Sequence, residues 1–226
     1  MYKLLFCDDD IALYKDKFIK IIQDVLPDTF APEFITDEEF TYTNKYDAYF
    51  LDIEMPTLSG FDIANSLYQK YPNSLFVFLS NHEEFVAIGY KFHPFDFIFK
   101  ATMEKDLARV LIEIKSYLDK RYRYTLIPCG DVQSKIFISE ILYVKSEGNY
   151  KHIHTSNNSY LVNTNKTDVL WFLKDSNILF IRRSIWVNME HIVRFVDNKI
   201  LLSSGESFKV SRRLKQECYK KFLKQL

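Results

Sequence analysis

No two of the three cysteines, Cys7, Cys129 and Cys218, sit at a spacing that would pair them or hold zinc. Neither a disulfide framework nor a zinc site therefore organises the chain, and a reducing compartment suits it. Long apolar runs are missing as well: no segment approaches the roughly 18 uninterrupted apolar residues of a membrane-spanning helix. Residues 1 to 6 run into three aspartates without the basic flank of a secretory leader. The expectation is a soluble, cytoplasmic protein with no membrane insertion. There is no repeat or low-complexity tract either; the Phe/Tyr-rich run from 85 to 99 is explained by core packing. Net charge is lacking only in sum. Residues 1 to 120 hold 12 Lys/Arg against 21 Asp/Glu, net −9, whereas 121 to 226 hold 18 against 9, net +9. An acidic half suits cation binding, a basic half suits a polyanion, and 226 residues suffice for two domains with separate cores.

What is present is ordered around YFLDIEMPTLSG, residues 49 to 60, where an unbroken apolar run delivers Asp52 into a loop punctuated by Pro56 and Gly60. Such a run suits a strand buried on both faces of a parallel sheet, whose chemistry lies at the carboxyl ends of its strands. Three other strand-like runs end in the same way: Asp8 and Asp9 follow residues 4 to 7, Ser80 closes 75 to 79, and Lys100 closes 97 to 99. Four strand ends thus present three carboxylates, a hydroxyl and an ammonium. Between them, helical spacing from Ile11 to Val25, from Phe61 to Tyr71 and from His82 to Tyr90 alternates with strands, including a weak second strand at 33 to 36 and a short helix or turn at 37 to 44. This pattern predicts an α/β doubly wound, five-stranded parallel sheet, closed by an amphipathic helix from Glu104 toward Lys120.

These residues resemble the receiver domain of two-component response regulators over roughly the first 120 positions. FCDDD is similar to the acidic pair after the first strand, LDIEMPTLSG to the phosphoacceptor loop, FVFLSN to the fourth-strand hydroxyl and FDFIFK to the fifth-strand lysine. The resemblance implies that Asp52 is phosphorylated by a sensor histidine kinase, and that Asp8, Asp9, Asp52 and the backbone carbonyl of Glu54 hold Mg²⁺. It also implies that Lys100 and Ser80 stabilise the phosphoryl group and that Phe97 is a rotating switch aromatic. Ala101 follows the lysine where the family usually has proline. His82 and His93 lack ligand-spaced partners and read as structural.

KRYR at 120 to 123 is the joint, after which the grammar turns mostly β, with turn signals at 129 to 131, 147 to 149, 156 to 158 and 204 to 205. Helical stretches are expected only at 167 to 174 and 212 to 226. This half, residues 121 to 226, resembles the LytTR-type DNA-binding domain through EILYVKSEGNYKHIHT, RSIWVN and SGESFKVSRRLKQ. That family docks through loops in successive major grooves. The resemblance implies base contacts from Asn149 or Tyr150, from Arg183 and from Arg213, because an arginine fork matches the two acceptors of guanine. Lys151, Arg182, Arg212 and Lys215 would lie against phosphates. Phe180 and Arg182 stand where the family usually has Arg and His.

The whole reads as a phosphorylation-switched transcriptional regulator rather than an enzyme, a homodimer when phosphorylated or on direct-repeat promoter sites. Two alternatives remain. In a haloacid-dehalogenase-type phosphohydrolase, Asp8, Asp9 and Asp10 would supply the Asp-any-Asp motif, although Ala12 and the helix after Lys100 depart from that pattern. Alternatively, the β half serves as an RNA- or protein-binding module.

Overall fold

The computed structural model describes residues 1–129, 132–163, 165 and 167–224, and the chain divides into two compact units, Met1–Leu118 and Asp119–Leu226. In the first unit, β1 (Tyr2–Cys7) leads into α1 (Ile11–Val25), β2 (Phe30–Ile35), β3 (Ala48–Asp52), α2 (Gly60–Lys70), β4 (Leu75–Ser80), α3 (Glu84–Gly89), β5 (Asp96–Phe99) and α4 (Met103–Arg121). The strands are parallel in the order β2-β1-β3-β4-β5. Alternate residues explain the unbroken apolar runs. Leu4, Phe6, Phe50, Val77, Leu79 and Ile98 face a core shared with α1 and α4, while Leu5, Leu51, Phe76 and Phe78 face one shared with α2. The order reverses at β1 and β3, so the ends of these two neighbours flank the switch-point crevice.

Two details differ from the sequence expectation, and the choice it left open at 37 to 44, helix or turn, falls to turns. The second strand begins at Phe30 and includes Pro32, which an edge strand tolerates because it need not donate on both sides. Residues 36–47, expected as a helix or turn at 37 to 44, contain turns and no helix. A parallel crossover normally uses a helix; here Phe40, Tyr46 and Tyr49 fill the space instead, with Tyr46 Oη donating to Glu33 Oε2 at 2.6 Å. The helix expected at 82 to 90 is only Glu84–Gly89, followed by a 3-10 turn, Tyr90–Phe92, ending at His93 with φ 47°.

The second unit contains the β6 (Tyr124–Cys129) and β7 (Val132–Phe137) hairpin, then β8 (Ile141–Glu147), β9 (Tyr150–Thr155), β10 (Ser159–Asn163), β11 (Ile178–Arg182) and β12 (Ile185–Asn188). The last five form an antiparallel sheet in the order β10-β9-β8-β12-β11. β13 (Ile192–Val196), β14 (Lys199–Leu202) and β15 (Ser207–Lys209) make a second sheet, and α5 (Lys215–Leu223) follows. The turn expected at 129 to 131 falls on Gly130 and Asp131, which lie outside the described residues. Strands β11 and β12 were not legible by alternation. Ile178 faces one core and Leu179, Ile181, Ile185 and Val187 the other, so both faces are apolar. The stretch at 167–174 is 3-10 with non-helical angles at Leu170, and the terminal helix starts with a 3-10 turn, Arg212–Leu214. Of the segment KRYR, Lys120 and Arg121 belong to α4. Among the described residues no helix is long and apolar enough to cross a membrane.

Candidate functional site

The carboxyl ends of β1, β3 and β5 bring Asp8, Asp9, Asp52 and Lys100 together. One carboxylate oxygen from each aspartate lies within 4.8 Å of the others; Asp8 and Asp52 are buried and Asp9 is exposed. Lys100 Nζ lies 2.8 Å from Asp8 Oδ2 and donates to Asp52 Oδ2 at 2.9 Å. The second contact is aligned as a hydrogen bond, whereas Asp8 Oδ2, fully buried, has only the off-axis Lys100 ammonium beside it. Burial pushes the Asp52 carboxyl up to about 6 against the opposing pull of Lys100. Burial also works against the Lys100 ammonium, but its pairing with Asp8 and Asp52 outweighs that and holds its pKa above the ordinary value. A fully buried carboxylate oxygen whose one ammonium neighbour is off-axis, beside two further carboxylates, is what a hard divalent cation with oxygen ligands would satisfy.

The loop after Asp52 is held at both ends. Ile53 N donates to Leu79 O at 3.1 Å and Gly60 N to Ile53 O at 3.3 Å. A Cβ on Gly60 would overlap the Asp52 carbonyl oxygen, so the glycine permits close approach of α2 to β3. Ser59 caps α2 by accepting from Phe61 N at 3.1 Å. Glu54 N donates to Asp52 Oδ1 at 3.4 Å, and Thr57 N donates to Asp37 Oδ2 at 2.7 Å. That last contact was not legible: a single aspartate after a weak strand carries no motif.

Ser80 is fully buried at the end of β4, where its hydroxyl accepts from His82 N at 2.9 Å. His82 itself lies near two carboxylates, Nε2 3.6 Å from Glu54 Oε2 and Nδ1 3.3 Å from Glu84 Oε1. Phe97 is half-buried, its ring centroid 5.5 Å from Phe99 and 6.3 Å from Phe78. The Lys100–Ala101 bond is trans, and Lys100–Thr102 forms a 3-10 turn into α4.

In the second unit the register gathers the three candidate loops at one end of the five-stranded sheet. Glu147 pairs with Tyr150 across a two-residue turn in which Gly148 adopts φ 57°. Ser146 N donates to Ser184 O at 2.8 Å, which places the β11–β12 turn carrying Arg183 beside this β8–β9 turn. Ser211 N donates to Ile181 O at 2.9 Å, which brings Arg212 and Arg213 to the same edge. Arg182, Arg183, Arg212, Arg213 and Lys215 are exposed and make no ion pair with another described residue. Asn149 and Tyr150 are exposed in the first loop. Lys151 differs: it is half-buried, its Nζ 4.7 Å from the Trp186 ring centroid and 3.4 Å from Ser146 Oγ, and burial lowers its pKa. Phe180 is exposed on the edge strand β11, its ring 5.1 Å from Trp186.

Comparison with known proteins bears on both units. The family described as LytTr DNA-binding domain matches residues 132–223. An uncharacterized response regulatory protein of Yersinia pestis is 30% identical over 187 residues, 74% of this chain and 75% of that protein. The transcriptional regulatory protein BtsR of Escherichia coli K12 is 28% identical over 186 residues, again 74% and 75%. The sensory transduction protein LytR of Streptococcus mutans is 26% identical over 234 residues, 92% of this chain and 95% of the relative.

Proposed function

The chain belongs to the response regulators and carries a receiver and a LytTR DNA-binding domain, and from that premise we propose that phosphorylation of Asp52 by a sensor histidine kinase switches its binding to promoter DNA. The observation that carries the reading is the convergence of Asp8, Asp9, Asp52 and Lys100 at the strand ends of one sheet. The receiver would occupy residues 1–120 and the DNA-binding domain 121–226, with the protein acting in the cytoplasm.

Asp8, Asp9, Asp52 and the Glu54 carbonyl would hold Mg²⁺. Bound there, Mg²⁺ would supply the positive charge that offsets three carboxylates and a phosphoryl group in transfer. An Asp52 carboxylate oxygen attacks the phosphorus, and the bond from phosphorus to the donor breaks. Lys100, already between Asp8 and Asp52, pairs with a phosphoryl oxygen. Ser80 turns its hydroxyl from the His82 backbone toward another, and Phe97 packs inward into the space this opens. Exposed arginines at the sheet edge of the second unit then read bases while Lys215 and its basic neighbours position the duplex; a homodimer would span direct-repeat half-sites.

Incubating the full chain with a small-molecule phosphodonor tests this. Label should appear only with Mg²⁺ and only on Asp52, should vanish in Asp52→Asn, and should raise affinity for duplexes selected from a random pool. Label retained by Asp52→Asn, or found on Asp8 by mass spectrometry, would instead support the phosphohydrolase.

A further inference from the structure

The crossover from β2 to β3 contains no helix, and its first buried side chain is a carboxylate. Asp37 is 4% exposed, two residues beyond the end of β2. Its Oδ2 accepts from Thr57 N at 2.7 Å, a short charge-assisted bond to the middle of the loop that follows Asp52. The ends of that loop are fixed by backbone bonds at Ile53 and Gly60, so the middle needs a separate anchor. Met55 anchors the first half of the loop by burial in the core shared with α2, its thioether accepting only weakly from Cys7 Sγ at 3.8 Å, which leaves the limb from Pro56 to Leu58. Pro56 and Thr57 are exposed and gain little from burial.

We propose that Asp37 is a positioning residue for chemistry at Asp52: by holding Thr57 N it fixes the limb of the loop that carries the Glu54 carbonyl, and so sets Mg²⁺ affinity and the lifetime of the acyl phosphate. Resting on the function proposed above, the inference adds a carboxylate that touches neither the metal nor the phosphoryl group. Burying an anion is costly unless donors satisfy it, and here the donors come from the loop itself. Burial alone would raise the Asp37 pKa, yet the bonds from Thr57 and Leu58 hold it below the ordinary value, so the carboxylate stays charged and the anchor persists at neutral pH. The crossover is itself braced elsewhere. Ser74 Oγ donates to Tyr46 O at 2.7 Å and Tyr71 Oη to Thr43 O at 3.1 Å, which ties the later part of the crossover to the segment after α2.

The test uses the full chain and the variants Asp37→Ala, Asp37→Asn, Thr57→Pro and Ser74→Ala. Thr57→Pro deletes the same bond from its donor side, and Ser74→Ala weakens the same crossover without touching the loop. Two quantities are read: the Mg²⁺ midpoint for thermal stabilisation, and the decay rate of the acyl phosphate at saturating Mg²⁺. Asp37→Ala and Thr57→Pro should each weaken the Mg²⁺ midpoint roughly tenfold, as loss of a supporting partner does at metal sites, and should change the decay rate in the same direction as each other. Their combination should add nothing beyond the larger single effect. Asp37→Asn, which keeps an acceptor for Thr57 N and loses only the charge, should recover most of both. Ser74→Ala should lower the thermal midpoint and leave both readouts at wild-type values. Asp37→Ala and Thr57→Pro proteins with wild-type Mg²⁺ midpoints and decay rates, or a Ser74→Ala protein shifted as much as they are, would reduce Asp37 to a structural anchor. A wild-type protein unlabelled at Asp52 would overturn the proposed function instead, and the Mg²⁺ midpoints would still decide the role of Asp37.

Discussion

Lys100 stands between two buried carboxylates, and its removal is a sharper probe of the cluster than removal of any one aspartate. With the Lys100 side chain 7% exposed and its ammonium paired with both Asp8 and Asp52, Lys100→Ala leaves two buried carboxylates without a counter-charge. Breaking a buried pair from one side typically costs about 3–5 kcal/mol. The metal-free variant should therefore melt well below wild type. Because a divalent cation would then be the main counter-charge left, the gain in thermal midpoint on adding Mg²⁺ should exceed the wild-type gain. Melting curves with and without Mg²⁺ check this, and an equal gain in both proteins would show that Lys100 and the cation do not share these carboxylates. At this scale the site was legible because Asp8, Asp52, Ser80 and Lys100 each end an apolar run, and a run's end is visible in one dimension. Asp37 and the contact made by Gly60 were not, since both depend on a neighbour brought close only by folding.

Turns and loops decide the second unit, where among the described residues long helices are absent beyond the end of α4 and the basic side chains sit at connections between strands. The β8–β9 turn, the β11–β12 turn and the segment before α5 meet at one sheet edge because two backbone bonds, Ser146 to Ser184 and Ser211 to Ile181, tie them there. The forks of Arg183 on one connection and Arg213 on another, neither in an ion pair among the described residues, suit base edges, so Arg183→Ala and Arg213→Ala should each cost about 1–3 kcal/mol on the preferred site and relax preference at the bases contacted. Lys215→Ala should weaken all duplexes alike and lower the salt slope by about one. Titrations on selected and random duplexes at several salt concentrations separate the two behaviours, and equal losses on both duplexes for the arginines would move the reading face elsewhere. Lys151 warns against counting charges from sequence alone: its head group lies over Trp186, on a face rather than free at the edge. The same blindness hid β11 and β12. A strand apolar on both faces lacks the alternation that marks an antiparallel strand, and only the cross-strand pairing of Trp186 with Phe180 and Val144 reveals it.

Over the whole molecule the opposed charges, −9 in residues 1–120 and +9 in 121–226, have a consequence that does not depend on any particular contact. A tethered acidic body competes with DNA phosphates for the same cations. The competition weakens once added salt shortens the Debye length, roughly 10 Å at 0.1 M. The second unit has its own two cores, so residues 120–226 can be compared with the full chain. The fragment should bind a single half-site more tightly than the unphosphorylated full chain, and the gap should shrink as salt rises. If phosphorylation acted only by pairing receivers, the outcome would differ. The fragment would then match the full chain on one half-site at every salt concentration and would lose only the gain on two, because linkage raises effective concentration without adding a contact. Half-site and double-site titrations of both proteins at two salt concentrations therefore distinguish an electrostatic brake from a dimerisation switch. The salt dependence of the single-site gap decides between them, because effective concentration alone predicts no single-site gap at all.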